Sequence, residues 1–314
     1  MNIALDMMGG DFAPTEAVKG VSSFLSGNPT QTGLILIGDE AQVNPLLQSS
    51  GIDTSSLKVV HASQVIGMNE HPTRALKEKQ QSSIAIGFHL LATGKCDAFI
   101  SAGNTGAMLV GAMYSIKAIE GVLRPTISTV IPKDNGGTGL LLDVGINADC
   151  KPEYLNQFAT LGSLYARYIS GIENPRVGLI NIGEEEGKGN LLAQAAYPLL
   201  KENNHINFTG NIEGRDIFKD KADVMVCEGF TGNVILKLAE SIYDITQEKD
   251  IHHDYLDRFN FENYGGTPVL GVSKPVIIGH GISHALAFTN MIRLAEKMIE
   301  TGLLEKMKEE FAGG

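Results

Sequence analysis

The segment that best predicts the fold is Ser101-Ala102-Gly103-Asn104-Thr105-Gly106-Ala107. It follows an apolar run at residues 96–100, which is typical of a buried strand. It precedes a second apolar run at residues 108–113, which predicts a helix. A strand, a loop of small residues and a helix form the arrangement that points free backbone N–H groups at an anion.

The individual residues of this loop suit an anion site. Gly103 and Gly106 have no side chain, so a ligand could approach the main chain closely. Asn104 and Thr105 could cap the helix or hold the ligand. The same pattern is also typical of an ordinary capped turn, so the remaining chain has to decide between the two interpretations.

The rest of the sequence alternates strands and helices. Predicted strands at residues 3–5, 34–37 and 57–60 are separated by helical segments, and this pattern predicts a parallel sheet that is covered on both faces. Residues 126–131 and 138–143 flank Lys133-Asp134-Asn135-Gly136-Gly137, a hairpin signature that makes the predicted sheet mixed. The rhythm then repeats, so we predict one α/β domain over residues 1–314 with two intertwined halves.

Composition excludes several classes of protein. The chain has 314 residues and a net charge of −11, which argues against nucleic-acid binding. Its three cysteines have unrelated spacings, so they form no metal pattern and fit a reducing compartment. The N-terminus lacks the features of a signal peptide, and no apolar run approaches the roughly 20 residues that span a bilayer. We therefore expect a cytoplasmic protein with no metal and no cofactor.

Six glycine-containing loops follow predicted strands. Ligands of α/β proteins bind outside the carboxyl ends of strands, so these loops predict one cleft rich in backbone donors for an anionic small substrate. The loop at residues 183–190 departs from a nucleotide phosphate loop in spacing and charge, and no strand is followed by G-x-G-x-x-G. The six loops lie near Gly9, Gly103, Gly145, Gly187, Gly229 and Gly279.

A set of segments, in order along nearly the whole chain, resembles one family. The chain is similar to the acyl-acyl-carrier-protein:phosphate acyltransferases of bacterial phospholipid synthesis. The matching segments are Leu5-Asp6, Met8-Gly9-Gly10-Asp11, Ser82-Ser83, Ser101 to Ala107, Asp143-Val144-Gly145 with Asn147, Asn181 to Glu186, Lys188-Gly189-Asn190, Gly232-Asn233, Tyr264-Gly265-Gly266 and Gly279-His280-Gly281.

The resemblance implies an activity and a fold. The activity is transfer of a fatty acyl group from acyl carrier protein to inorganic phosphate, which gives acyl phosphate. The fold is a three-layer α/β/α arrangement with a large mixed sheet, of the isocitrate/isopropylmalate-dehydrogenase-like type. The resemblance also implies a homodimer and a cytoplasmic enzyme loosely associated with the membrane.

The chain departs from the family pattern in three places. Met7 stands where Ala is common, and Ile282 stands where a second Ser is usual. The segment from Glu240 to Asn263, expected to form a short helical arm, is shorter than in many relatives and predominantly acidic. An acidic arm fits anionic lipid poorly, so we predict at most weak peripheral membrane association.

The chemistry assigns roles to candidate residues. Phosphate is already an anionic nucleophile, so the site must hold it beside the thioester, stabilise the oxyanion and exclude water. Asp6, Asp11 and Asp143 could equally hold loops, Lys188 could pair with neighbouring glutamates, and His280 could cap or fill the core. The candidate catalytic residues are Lys188, Asn104 and His280, and the candidate substrate-binding residues are Asp6, Gly9, Gly10, Asp11, Gly103, Thr105, Gly106, Asp143, Asn147 and Asn233.

Covalent acyl transfer would need a cysteine, and Cys150, just before a predicted helix, has the best position for a lowered thiol pKa. Because phosphate can attack the thioester directly, we expect no acyl-enzyme. The docking surface stays open at the level of sequence. An acidic carrier protein should dock on a basic patch, either Arg74, Lys77 and Lys79 or Arg215, Lys219 and Lys221. The rival functions are a phosphotransacetylase-like enzyme acting on coenzyme A thioesters and a non-catalytic sensor of acyl thioesters.

Overall fold

Strands and helices alternate along most of the chain. The computed structural model describes residues 1–27, 32–54 and 57–312. Its strands are β1 (Asn2–Asp6), β2 (Gly33–Gly38), β3 (Leu57–His61), β4 (Ala98–Ser101), β5 (Thr126–Pro132), β6 (Thr138–Leu142), β7 (Arg176–Ile180), β8 (Asn207–Ile212), β9 (Val224–Val226), β10 (Thr267–Leu270) and β11 (Val276–Ile278).

The helices connect these strands. They are α1 (Thr15–Gly27), α2 (Glu40–Ser49), α3 (Pro72–Glu78), α4 (Ser83–Ala92), α5 (Thr105–Gly111), α6 (Pro152–Tyr168), α7 (Leu191–Glu202), α8 (Gly229–Glu248), α9 (Ala285–Glu300) and α10 (Leu303–Phe311). A π-helical turn, Ala112–Ile116, follows α5, and short 3-10 turns occupy Leu256–Phe259 and Phe261–Tyr264 in the region predicted as a helical arm.

The chain divides into two compact units, each formed by separate segments. The first unit comprises Met1–Ala118 and Glu262–Leu304, and the second comprises Ile119–Phe261 and the residues from Glu305 onward. That the whole chain acts as one domain with intertwined halves stays a prediction.

The first unit contains strands in the order β3-β2-β1-β4-β11-β10. The pairs from β3 to β11 are parallel, and β10 pairs with β11 antiparallel. Consecutive residues of β1, β2 and β4 are buried, which requires cover on both faces of the sheet. Helices α1 and α9 pack closely at Gly20. The space there is so narrow that a side chain on Gly20 would overlap Phe288.

The second unit contains strands in the order β5-β6-β9-β7-β8. Strands β5 and β6 form the predicted antiparallel hairpin, and the β6–β9, β9–β7 and β7–β8 pairs are parallel. The expected α/β class and the mixed sheet pairing are thus confirmed. Because parallel strands share their direction, the loops after β6, β9 and β7 leave the sheet at one edge, as do those after β1, β4 and β11 in the first unit.

A buried ion-pair network lies near the start of the second unit's parallel strands. Lys133 is only 2% exposed, and its ammonium group lies 2.8 Å from Asp223 Oδ1 and 3.2 Å from Asp220 Oδ1. Arg176 Nε donates to Asp223 Oδ2 at 2.9 Å. Burial by itself would raise the pKa of Asp223, but hydrogen bonds from Arg176 and Lys133 outweigh it and hold that pKa well below its usual value.

Among the residues described, 1–27, 32–54 and 57–312, no helix is both long enough and apolar enough to cross a membrane.

Replacing Lys133 by Met tests the buried network. The variant keeps the aliphatic volume but leaves Asp223 with one cation fewer, so we expect the free energy of unfolding to fall by about 3 kcal/mol. Lys219→Met is the matched control, because Lys219 pairs with Asp134 on the exposed surface; its loss should be under about 1 kcal/mol. Equal losses in urea unfolding would contradict a special role for the buried pair.

Candidate functional site

The loop after β4 is joined to the loop after β1 by a buried chain of hydrogen bonds. The Ser101 hydroxyl donates to Asp6 Oδ2 at 2.6 Å, and the Gly103 N–H donates to Ser101 Oγ at 2.9 Å. Asp6 and Ser101 are fully buried. The Gly103 N–H, a predicted anion ligand, is therefore already paired inside the loop.

The Asp6 carboxylate serves its own loop as well. Its Oδ1 accepts a hydrogen bond from the Met8 N–H at 2.9 Å. Burial raises the pKa of Asp6, and hydrogen bonds from Ser101, Ser83 and the Met8 amide oppose that rise. Asp6 thus fulfils the loop-holding role that the sequence left open.

Glycines bring the loops after β1, β4 and β11 close together. Between the first two, a side chain on Gly9 would place its Cβ 2.6 Å from the Gly103 nitrogen, so only glycine permits this approach. Gly10 has a φ of +100°, which also favours glycine, and the next N–H, that of Asp11, donates to Gly281 O at 2.7 Å. We call residues 6–11, 101–106 and 279–283 the first loop cluster.

Asn104 connects the first loop cluster to the segment before α3. Its Oδ1 accepts the Ala107 N–H at 2.9 Å and so caps α5. Its Nδ2 lies 3.0–3.1 Å from the carbonyl oxygens of Gly67, Met68 and Glu70. Both ends of this buried amide thus hold backbone, which makes Asn104 a clamp on residues 67–70. A direct catalytic role for Asn104 stays a prediction.

The other candidates of the first loop cluster lie closer to solvent. Thr105 is exposed and His280 is half-buried. The Ile282 N–H donates to His280 Nδ1 at 3.4 Å. Gly106 lies so close to Pro72 that a side chain would overlap it, and the start of α3 therefore packs on the first turn of α5.

Exposed apolar side chains border the first loop cluster. Phe12, Met68 and Ile282 are each more than 40% exposed. The Met68 methyl lies 2.9 Å from where a Gly281 Cβ would stand, and the Phe12 ring stacks on His284 at 4.5 Å. We call Phe12, Met68 and Ile282 the apolar rim.

In the second unit, Asp143 organises the loop after β6. It is fully buried. Its Oδ1 accepts the N–H groups of Gly145 and Ile146 at 3.1 and 3.2 Å, and its Oδ2 accepts the N–H and the side-chain amide of Asn147 at 2.8 and 2.7 Å. The Asn147 amide also donates to Pro125 O at 2.9 Å. Asp143 and Asn147 both hold their own loop.

The loop after β9 packs tightly on this loop. The Gly229 N–H donates to Asn147 O at 2.7 Å, and a side chain on Gly232 would overlap the Asp143 carbonyl. Asn233 is exposed, and its Nδ2 donates to Val144 O at 3.2 Å. We call residues 143–147, 181–190 and 227–233 the second loop cluster.

Lys188 lies on the loop after β7 and is 52% exposed. Its ammonium group is 3.9 Å from Glu185 Oε2, a loose contact, whereas Glu184 and Glu186 pair with Lys221 and Lys201 at 2.6 and 3.0 Å. Asn181 fixes the loop by donating to Lys188 O at 3.1 Å. The side chain of Lys188 is therefore held weakly.

The structure places the predicted residues in two groups. The first unit brings together Asp6, Gly9, Gly10, Asp11, Gly103, Asn104, Thr105, Gly106 and His280, and the second unit brings together Asp143, Asn147 and Asn233, with Lys188 on the loop of a neighbouring strand. Convergence of all six loops in one cleft stays a prediction. The sequence interpretation missed Ser101 as the partner of Asp6, although its place at the end of β4, which pairs with β1, was a signal.

Cys150, which by sequence has the best position for a lowered thiol pKa among the cysteines, does not have one. Burial, together with the nearby charges of Asp143 and Glu228, raises the pKa of Cys150 to about 12. Burial likewise raises the pKa of Cys96 to about 12 and that of Cys227 well above its usual value. A raised pKa favours the protonated thiol at neutral pH, so none of the three cysteines is placed as an activated nucleophile.

One acidic group in the described part of the chain has ligand atoms close enough to share a cation. The oxygens of Glu184, Glu213 and Asp216 lie within 4.8 Å of one another. The Lys221 ammonium already contacts two of them, Glu184 at 2.6 Å and Asp216 at 2.9 Å. The group is thus part of a surface ion-pair network.

Glycine loops at the carboxyl ends of parallel strands place the chain in the class of α/β proteins that bind ligands at that edge of the sheet. Comparison with known proteins identifies the family. The profile of the family described as "Fatty acid synthesis protein" matches residues 1–306, and the chain belongs to this family. Relatives named phosphate acyltransferase include one from Dictyoglomus turgidum, 42% identical over 98% of this chain and 97% of its own length. Another, from Halothermothrix orenii, is 42% identical over 99% and 98%.

Solved structures share the fold at low sequence identity. A phosphotransacetylase from Streptococcus pyogenes superimposes with a TM-score of 0.66 at 16% identity, over 96% of this chain and 94% of that one. A branched-chain phosphotransacylase from Enterococcus faecalis V583 gives a TM-score of 0.64 at 14% identity, over 95% and 99%. These similarities establish the fold, which agrees with the α/β architecture described above.

The raised thiol pKa values predict slow alkylation of the native protein. With a pKa near 12, Cys150 carries a thiolate fraction of roughly one in ten thousand at pH 8. Iodoacetamide should therefore label Cys150 far more slowly in the native protein than after unfolding, and Cys150→Ser should retain acyl-transfer turnover. Rapid native labelling of Cys150, with loss of turnover, would contradict this expectation.

Proposed function

We propose that this enzyme transfers a fatty acyl group from acyl-acyl carrier protein to inorganic phosphate and so forms acyl phosphate for phospholipid synthesis. Membership of the family described as "Fatty acid synthesis protein" supports a role in lipid synthesis. The names of the relatives support acyl transfer to phosphate. The geometry of the loop clusters supports the same reaction, on separate grounds.

The observation that carries the proposal is the engagement of the buried carboxylates. Asp6 and Asp143 are both buried, and both accept hydrogen bonds from their own loops. Neither is placed as an exposed general base, and the cysteines are protonated. Such clusters suit a nucleophile that is already an anion, and phosphate near neutral pH is one.

The proposed step is a direct displacement. A phosphate oxygen attacks the thioester carbonyl carbon, the new C–O bond forms, and the C–S bond breaks. The proton of hydrogen phosphate ends on the departing sulfur, which gives a thiol and an acyl phosphate. We assign His280 to relay that proton, because it is half-buried and belongs to the first loop cluster.

Asn104 and Asp6 are assigned as positioning residues in this proposal. Asn104 clamps residues 67–70 onto the first turn of α5, and Asp6 holds Ser101 and, through it, Gly103. The substrate-facing groups of this loop are then the exposed Thr105 and the backbone of Gly106. Loops held in this way need no reorganisation as the oxyanion develops, which is the basis of electrostatic preorganisation.

Lys188 and Asn233 are the substrate-facing groups that we assign in the second loop cluster. Lys188 is exposed and only loosely paired, so its charge can neutralise phosphate without breaking a strong ion pair. Asn233 is exposed and has a side-chain oxygen to orient a substrate. Asn147 and Asp143 hold the loop beneath them.

The apolar rim favours a long acyl chain over an acetyl group. Phe12, Met68 and Ile282 expose apolar surface directly beside the first loop cluster. Covering such surface with methylene groups contributes about 0.8 kcal/mol per buried CH₂. This is the feature that separates the proposal from an enzyme acting on acetyl coenzyme A.

We further propose a homodimer and a cytoplasmic location with weak peripheral membrane association. Helix α8 exposes Phe230, Val234 and Leu238, each more than half, at a spacing of four residues. An apolar stripe of this kind suits a second copy of the chain. The acidic balance of residues 240–263 argues against strong binding to anionic vesicles, which co-sedimentation would measure.

Trapping with hydroxylamine tests the reaction. The wild-type enzyme should form acyl phosphate from long-chain acyl carrier protein and phosphate, and far less from acetyl coenzyme A. Lys188→Ala should lower kcat/KM for phosphate about 100-fold, because an electrostatic ligand of the anion is lost. Lys201→Ala, which removes an exposed lysine of α7 paired with Glu186, is the control and should match wild type.

The outcomes separate the rival functions. Preference for acetyl coenzyme A would identify a phosphotransacetylase-like enzyme. Binding of acyl carrier protein without acyl phosphate would identify a sensor. Near-wild-type turnover of both Lys188→Ala and Asn104→Ala at saturating phosphate would show that the site assignment is wrong.

Sedimentation tests the homodimer. Leu238→Glu places a charge on the α8 stripe and should shift wild-type dimers toward monomers. Leu123→Glu, at another exposed leucine of the second unit, is the control and should leave the mass unchanged. A wild-type monomer at micromolar concentration, or a dimer that tolerates Leu238→Glu, would contradict the proposal.

A further inference from the structure

A groove of about 270 Å³ lies on the first unit among helices α3, α4 and α5 and the π-helical turn. Its floor is apolar, because Phe88 is buried there and Leu76, Ala85 and Val110 line the sides. The residues that line it are Thr73, Leu76, Lys77, Gln80, Ala85, Phe88, Val110, Gly111, Tyr114 and Ser115.

The groove has an unusual charge for this protein. Lys77 is the one ionisable cation in its lining, and no carboxylate lines it. The whole chain, in contrast, carries a net charge of −11. Within the described residues Lys77 forms no ion pair, whereas its neighbours Arg74 and Lys79 pair with Glu78 and Glu70. The groove therefore offers an available positive charge beside apolar surface.

The other candidate docking patch, Arg215, Lys219 and Lys221, differs in its charge balance. Arg215 pairs with Glu213, and Lys219 lies 2.6 Å from Asp134. Lys221 contacts Glu184 and Asp216. Every cation of that patch is thus matched by a carboxylate, and an acidic partner would meet repulsion as well as attraction there.

Tyr114 adds an anchor of the kind found at protein interfaces. Its side chain is 75% exposed at the rim of the groove. Tyrosine is enriched among residues that contribute most to binding, because it offers a large contact area and loses little conformational entropy. Tyr114 lies on the π-helical turn, a form of helix that occurs frequently at functional sites.

We propose that this groove docks an acidic amphipathic helix of the acyl carrier protein. An apolar side chain of that helix occupies the groove against Leu76, Phe88 and Tyr114, and its carboxylates face Lys77. The inference rests on the proposed function, since it presupposes an acidic carrier as the acyl donor. It selects the Arg74, Lys77 and Lys79 patch over the Arg215, Lys219 and Lys221 patch.

Charge reversal at matched positions tests the docking surface. Lys77→Glu should raise KM for acyl carrier protein about tenfold, because a favourable contact becomes repulsive. KM for an acyl coenzyme A of the same chain length, and KM for phosphate, should not change. Lys219→Glu alters the other patch by the same charge and should leave all three KM values unchanged.

The apolar half of the surface has its own test. Tyr114→Ala should weaken binding of holo-acyl carrier protein several-fold in a titration followed by fluorescence anisotropy. Leu123→Ala, another exposed residue, is the control and should bind like wild type.

The results separate the docking surface from the proposed function. If the wild-type enzyme forms no acyl phosphate from acyl carrier protein, the proposed function itself is wrong. If it does, while Lys77→Glu and Tyr114→Ala behave like wild type or Lys219→Glu alone raises KM for the carrier, the groove is not the docking surface.

Discussion

The hydrogen bond from the Ser101 hydroxyl to the buried Asp6 carboxylate holds the first loop cluster in place. Ser101 in turn accepts the Gly103 N–H, and Gly9 fits against the same three groups because it has no side chain. A buried carboxylate without such partners would be costly, so the loops and the carboxylate stabilise each other. Asp143 fills the same role in the second unit, where one carboxylate accepts hydrogen bonds from three consecutive backbone amides, Gly145 to Asn147.

Carboxylates engaged in this way restrict the chemistry that the clusters can support. Asp6 and Asp143 keep loops rigid, and the buried cysteines stay protonated. The surface of the clusters carries backbone groups, small polar side chains and the loosely held Lys188, beside exposed carboxylates such as Asp11 and Glu185. Loops of this kind supply binding and electrostatic stabilisation more than proton abstraction.

Much of the fold was predictable from local pattern. The continuous apolar runs of β1, β2 and β4 indicated strands covered on both faces, and the Lys133–Gly137 turn indicated the β5–β6 hairpin. For the candidate site, the sequence indicated which residues lie at strand ends but not which groups their side chains contact. The side chain of Asn104 binds carbonyl oxygens at residues 67–70, about 35 positions earlier in the chain, and no local pattern encodes that contact. Sequence position alone made Cys150 the best-placed cysteine for a lowered pKa, but burial and the approach of Asp143 and Glu228, which raise that pKa, are tertiary effects.

The sequence by itself determined the α/β class, the strand-end placement of the glycine loops and the family, because periodicity and motif order are local properties of the chain. Only the tertiary structure decided that Asp6 and Asp143 hold loops and that Ser101 connects the ends of two strands. It also decided that Lys77, of the Arg74, Lys77 and Lys79 patch, lies beside an apolar groove and forms no ion pair with the residues that the structure describes. Those roles depend on contacts between residues that are distant in sequence, across paired strands and packed helices. Hydrogen bonds and burial at these contacts set the protonation and the mobility of each side chain.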